Sequence, residues 1–268
     1  MPDDVEARVR ALLSRLRLRD AEAHLDHAMP EAATTRSRVL HAFEVLLRHE
    51  DDRRTERRIQ RRIDAAKLPD MPTLEVFDFD FQPDLPRELI LDLATLAWVD
   101  RQEDLVLVGQ SGVGKSHIAK ALCLIGCRQQ RRVRYTTCAD MLATLHAALA
   151  DRSLPDVLKA YTRVDLLLID DLGYDPIEQE EAREAQLLYK VLEARHEKAS
   201  TIITSNLPAE KWADYLGDHY LTVALLDRLL YHGTIITIEG PSYRLAQHQK
   251  RQESRADDSS AEQAAAEE

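Results

Sequence analysis

The octapeptide GQSGVGKS at residues 109–116 fits the pattern G-x-x-x-x-G-K-[ST], and it lies between the apolar run LVLV (105–108) and the helical run HIAKALCLIGC (117–127). A strand, a glycine-rich turn and a helix in that order leave few folds open, because a buried parallel strand must feed a helix whose N-terminus faces an anion. Gly109, Gly112 and Gly114 let the backbone curl, so that the N–H groups of a loop including Gln110, Ser111 and Val113 converge on a phosphate. Lys115 can then reach the outer phosphates, and the Ser116 hydroxyl suits a Mg²⁺ ion. A glycine-rich turn with an incidental lysine would explain neither the flanking strand nor the helix.

Four more short apolar runs follow: VRYT (133–136), DLLLID (165–170), STIITS (200–205) and TIITI (234–238). Buried strands separated by helical segments predict an α/β domain over residues 98–250, a parallel sheet covered by helices. Residues 1–67 read instead as a small all-α domain. VRALLSRLRL and RVLHAFEVLL space their apolar residues three and four apart, and no glycine occurs before Gly109. Between them, 68–97 contains LPDMPTLEVFDFDFQPDLP, a proline-rich linker expected to dock Phe77, Phe79 and Phe81 on the next domain without chemistry of its own. The tail, 251–268, is acidic and lacks apolar periodicity, so disorder is expected there.

LLLIDD (166–171) supplies the second half of a phosphate site. Asp170 ends a buried strand where a carboxylate can hold the Mg²⁺ shell, and Asp171 can orient or deprotonate an attacking water. Asn206, closing TIITSN, could bond the γ-phosphate or its water, or simply make a turn.

These strand ends, together with TLEVFDFDFQP (73–83), LLLIDDLGYDP (166–176), STIITSNLP (200–208), LLDRL (225–229) and SYR (242–244), resemble the IstB-like ATPases, transposition helpers that are AAA+ relatives of the DnaC helicase loaders. The resemblance implies a AAA+ P-loop NTPase fold. It also implies ATP and Mg²⁺ as cofactors, slow switch-like hydrolysis, ATP-dependent homo-oligomerisation on duplex DNA, and assistance to a transposase in target selection. In such proteins ATP sits between subunits. Arg228 in LLDRL then matches the arginine that a neighbour contributes, where a guanidinium offsets charge developing on the γ-phosphoryl group. Arg244 in SYR fits either a second nucleotide sensor or a structural anchor. One departure is Asp171, where AAA+ ATPases usually carry glutamate. The side chain is one methylene shorter, which puts fast turnover in doubt and leaves ATP binding untouched.

The formal net charge of −11 argues against a nucleic-acid binder, yet its distribution does not. Residues 53–67 carry seven Lys/Arg against two Asp/Glu, with Arg53, Arg57, Arg61 and Arg54, Arg58, Arg62 each repeating every four residues along a helix. A second cluster, Arg128, Arg131, Arg132 and Arg134, follows the phosphate-loop helix. Each is either a solvated face or a surface for DNA phosphates, read without base contacts. Three cysteines, Cys123, Cys127 and Cys138, are too few for a disulfide scaffold and read as reduced core thiols. No run approaches the ~18 apolar residues of a membrane span and no secretory signal opens the chain, so a cytoplasmic protein is expected. Two other functions fit the phosphate site: a DnaC-like loader of a replicative helicase, and a metabolic P-loop kinase. The kinase leaves Asn206, Arg228 and the basic helix unexplained.

Overall fold

The computed structural model describes residues 2–28, 33–173 and 181–252. Most of the acidic tail, together with Tyr174, Asp175 and Pro176 of the LGYDP element, lies outside the described residues. The chain divides into two compact units, Met1–Arg61 and Arg62–Glu268.

In the smaller unit, α1 (Pro2–Arg15), α2 (Arg19–Ala28) and the start of α3 (Ala33–Ala66) enclose a small core of Val9, Leu13, Leu25 and Leu40. So few apolar residues need help from charge. Glu44, almost fully buried, is held by Arg8 at 2.7 Å and Arg48 at 2.7 Å, and these two guanidiniums pull its pKa down to about 2. Arg15 pairs with the buried Asp51 in the same way.

The larger unit takes up the end of α3, whose Ile63 and Ala66 join its core. After a short turn at Leu74–Val76 come α4 (Arg87–Leu93) and α5 (Ala97–Asp100), then β1 (Leu105–Gly109). Next are α6 (Lys115–Arg128), β2 (Val133–Thr137), α7 (Cys138–Ala150), α8 (Leu154–Thr162) and β3 (Leu166–Leu172). The described chain closes with α9 (Glu181–Arg195), β4 (Ser200–Ser205), α10 (Trp212–Leu216), α11 (His219–Tyr231), β5 (Thr234–Ile238) and a helical stretch over 243–252. All five expected strands form. They pair in parallel in the order β2-β3-β4-β1-β5.

Strand alternation sorts the core into two layers. Leu105, Leu107, Leu166, Leu168 and Ile202 face one side with Ile118 and Leu122 of α6, whereas Val106, Val108, Leu167, Ile169 and Ile203 face the other with Met141 of α7 and Leu188 of α9. Both sides of the sheet are therefore covered, which is why the central strands β1 and β3 open on continuous apolar runs, whereas the edge strands β2 and β5 carry polar residues. The three cysteines are buried free thiols, and burial pushes the Cys123 thiol well above its ordinary pKa. The chain enters at β1, jumps to the edge at β2, walks back through β3 and β4, and crosses β1 to reach β5. This reversal of strand order beside β1 opens a crevice at the C-terminal ends of the strands, the usual place for a ligand in such sheets.

Candidate nucleotide site

That crevice holds a cavity of about 410 Å³ lined by Ser111, Gly112, Val113, Gly114, Lys115, Ser116, Asp171, Asn206 and Arg244, with a second wall from Val76, Phe77, Phe81, Gln82 and Tyr243. Gly112 has φ +86° and Gly114 φ +106°, a region L side chains avoid, so the loop shape requires glycine at both positions. Gly114 caps α6, and the helix therefore opens directly into the cavity with its unpaired N–H groups forward. Lys115 is nearly buried and its Nζ donates to the carbonyls of Gly109 at 2.7 Å and Gln110 at 2.8 Å. Burial lowers its pKa below the ordinary lysine value, against the opposing pull of the Asp171 and Asp170 charges.

On the facing strand, Ser116 Oγ donates to Asp170 Oδ1 at 2.8 Å. Thr204 of β4, wholly buried, donates to the same carboxylate oxygen, and Tyr135 of β2 lies 3.4 Å from the other. A carboxylate and a hydroxyl at this separation are the hard oxygen donors that Mg²⁺ prefers, so Ser116 and Asp170 fit that ion.

In a regular strand Asp170 and Asp171 would point to opposite faces. Here the register with β4 is irregular between Ile169 and Leu172, and Asp171 takes φ +60°. The bulge brings the Asp171 side chain to the cavity while Asp170 stays buried beneath it. Thr204 Oγ1 secures the turn by accepting the Asp171 N–H at 2.9 Å. Partial burial, then the Asp170 charge, raise the Asp171 pKa above the usual carboxylate value, while Lys115 and Arg244 act in the opposite sense. A carboxylate made more basic in this way is better suited to take a proton.

The segment 73–83 was expected only to dock, and that reading needs correction. Phe77 packs over Gly114, where a Cβ would lie 2.5 Å from its ring, and meets His117 edge-on at 5.3 Å. His117 is fixed in turn by a ring nitrogen 2.8 Å from the Thr73 carbonyl. Phe81 meets Tyr243 edge-on at 5.1 Å, Gln82 Nε2 donates to Pro241 O at 2.9 Å, and Tyr243 N donates to Gly112 O at 3.0 Å. Two segments about 160 residues apart thus clamp the glycine loop between them. Phe77 and Phe79 also pack on the sheet core, so the docking itself is present.

Arg228 does not line this cavity. It lies on α11, pairs with Glu193 of α9 and rests on the Tyr189 ring at 5.0 Å. Along α3, Arg53, Arg57, Arg58 and Arg61 are exposed, Arg57 pairing with Glu50 at 3.3 Å, and Arg54 bonds the same Glu50 at 2.6 Å and the Leu16 carbonyl at 3.0 Å. Of the second cluster, Arg128 is exposed, but Arg131 pairs with Asp100 at 2.8 Å, Arg132 with Asp165 at 2.5 Å, and Arg134 lies over the Tyr161 ring at 4.5 Å. Much of that cluster's charge is already engaged within the chain.

Residues 11–252 match the family described as IstB-like ATP binding protein. The ATP-binding protein of insertion sequence IS21 from Pseudomonas aeruginosa is 38% identical over 239 residues, covering 89% of each chain. That of IS232 from Bacillus thuringiensis subsp. berliner is 33% identical over 236 residues, covering 88% of this chain and 93% of its own. Among solved structures, DnaI superposes with a TM-score of 0.52 at 20% identity, over 66% of this chain and 93% of that one. This last likeness concerns the fold, that of the AAA+ P-loop proteins.

Proposed function

The chain belongs to the IstB-like ATP-binding protein family, and from that premise we propose that it is a slow, switch-like ATPase that oligomerises on duplex DNA and assists a transposase. The observation that carries this reading is the gathering of Lys115, Ser116, Asp171, Asn206 and Arg244 on one cavity, with Asp170 bonded to Ser116 just below. In this reading the α6 N-terminus and Lys115 hold the phosphates, and Arg244 serves as the second nucleotide sensor. Ser116 and Asp170 hold Mg²⁺, which would supply positive charge to the phosphate oxygens. Asp171 receives the proton of the attacking water, and Asn206 fixes that water's orientation.

Arg228 has no role at its own chain's cavity. Its position on an outer helix supports a trans-acting role, in which it leaves Glu193 and Tyr189 to meet the γ-phosphoryl group of the next subunit. Exposed guanidiniums on α3 offer phosphates a sequence-independent contact. The insertion-sequence context of the relatives supports a transposase as partner. The likeness to DnaI bears on the fold alone and gives the helicase-loader reading no separate support.

Lys115→Ala tests the core of this reading. Light scattering should show ATP-dependent assembly of the parent chain on duplex DNA and none for the variant. Equal assembly by both would overturn the proposal.

A further inference from the structure

A second cleft, of about 690 Å³, opens in the larger unit where the edge strand β2 begins, and its charged lining is Arg62, Arg132, Arg134, Lys159, Arg163 and Asp156. We infer that this cleft is a binding site for the phosphodiester backbone of duplex DNA. The inference rests on the reading that the chain binds DNA, and it assigns part of that binding to a place and to residues, Lys159 and Arg163, that neither basic run in the sequence contains.

The geometry follows from ordinary periodicities. Arg132 and Arg134 flank Val133, the first residue of β2, and a separation of two puts both side chains on one side of the strand. Lys159 and Arg163 are four apart at the end of α8, so they share a helix face. Arg62 arrives from the last turns of α3. Three elements distant in sequence therefore deliver five cations to one cleft; Lys159 is paired with the lining Asp156 and Arg132 with nearby Asp165, which leaves a local excess of three positive charges among the described residues. Like charges so gathered repel one another, and an anion relieves that repulsion.

Arg134 carries the strongest local sign. Its guanidinium is held over the Tyr161 ring at 4.5 Å, and its Nε is buried with no hydrogen-bond partner among the described residues. Stacking on that ring holds the planar fork of this cleft-lining arginine in one orientation, so little freedom is lost when it meets a phosphate.

Several features favour a polyanion over a small phosphate compound. The cations are dispersed over three elements, the cleft lies at the start of an edge strand, and its lining holds no glycine whose turn could offer backbone N–H groups to a single phosphate. Because all strands are parallel, the start of β2 lies at the opposite end of the sheet from the glycine loop. Nucleotide and DNA would occupy the same domain without competing.

The test is fluorescence anisotropy of the full chain on a labelled duplex of ~40 base pairs, in the presence of ATP, across a salt series. Loss of two phosphate contacts should make the slope of log K against log salt shallower by about 1.8, equivalent to about twelvefold in affinity between about 50 and 200 mM salt. Lys159→Ala combined with Arg163→Ala should show this change while a fluorescent ATP analogue binds as before. Asp156→Asn frees Lys159 from its 2.6 Å ion pair and should tighten DNA binding about twofold, a gain that misfolding cannot imitate. Parent-like slope and affinity in the double variant, or no gain in Asp156→Asn, would overturn this site and leave the proposed function standing. Failure of the parent chain to bind duplex DNA would overturn both.

Discussion

Thr204 supports both acidic residues of the candidate site through one hydroxyl, and its replacement by valine isolates that role. The exchange keeps shape and branching and removes only the oxygen. In the fold that oxygen donates to Asp170 Oδ1 and accepts from the Asp171 N–H at 2.9 Å, in a side chain with no solvent exposure. A buried hydrogen bond to a carboxylate contributes about 1.5–3 kcal/mol, and an N–H left unpaired costs about 1–3 kcal/mol, giving a loss of about 2.5–6 kcal/mol. That is a large share of the ~5–15 kcal/mol by which domains are stable. The loss should also release Asp171 from its left-handed conformation, because the Thr204 hydrogen bond offsets the roughly 1–2 kcal/mol that φ +60° costs a residue with a Cβ.

Both tryptophans, Trp98 and Trp212, are buried in the larger unit, so urea unfolding followed by their fluorescence reports on that unit alone. For an m-value of about 2 kcal/mol/M the midpoint should fall by about 1.3–3 M. ATP hydrolysis should fall with it, and Thr204→Ser should retain both properties. A midpoint within about 0.3 M of the parent's, with unchanged hydrolysis, would refute the idea that Thr204 holds the two carboxylates in place.

Two further outcomes are expected. Phe77→Ala removes the ring packed over Gly114 and His117, so affinity for a fluorescent ATP analogue should weaken about tenfold, within the range an aromatic contact can supply; parent-like affinity would leave the segment a mere linker. Asp104, whose carboxylate accepts the Thr201 N–H at 2.6 Å, is pushed up to about 6 by burial. The folded chain therefore keeps this proton over a pH range in which the unfolded chain has lost it, and stability falls as pH rises from about 4 through about 6, by at most ~3 kcal/mol. Asp104→Asn should flatten that portion of the melting-temperature profile relative to the parent. Parallel profiles for the two would contradict the assignment.

Much of the domain was readable because its signals are local. The five strands announce themselves as short apolar runs, and GQSGVGKS specifies its own turn within eight residues, since a loop this tight is decided by which positions lack a Cβ. Asp170 and Asp171 were visible as a pair at a strand end. How both serve one cavity was not, because alternation alone would send them to opposite faces and the bulge depends on β4. The aromatic alternation at 77–81 was visible too, but its meaning depends on Gly114 and Tyr243, neither of which is near it in the chain.

The basic clusters show the same division. Sequence placed Arg62 in one run and Arg132 and Arg134 in another, and it gave Lys159 and Arg163 no reason to be noticed. Charge counts see neighbours along the chain, whereas a cleft is made by neighbours in space, and Asp100 pairs Arg131 away from that cleft while Asp165 offsets part of the charge that Arg132 brings to it. By itself, then, the sequence determined the strand, loop and helix that cradle an anion, since hydrogen bonding and sterics over a few residues suffice. Tertiary structure decided what surrounds that loop and the acidic pair facing it, because Phe77, Tyr243 and Arg244 reach the loop, and Thr204 reaches Asp170 and Asp171, only through the strand order β2-β3-β4-β1-β5, and strand order is a property of long-range pairing that no local periodicity encodes.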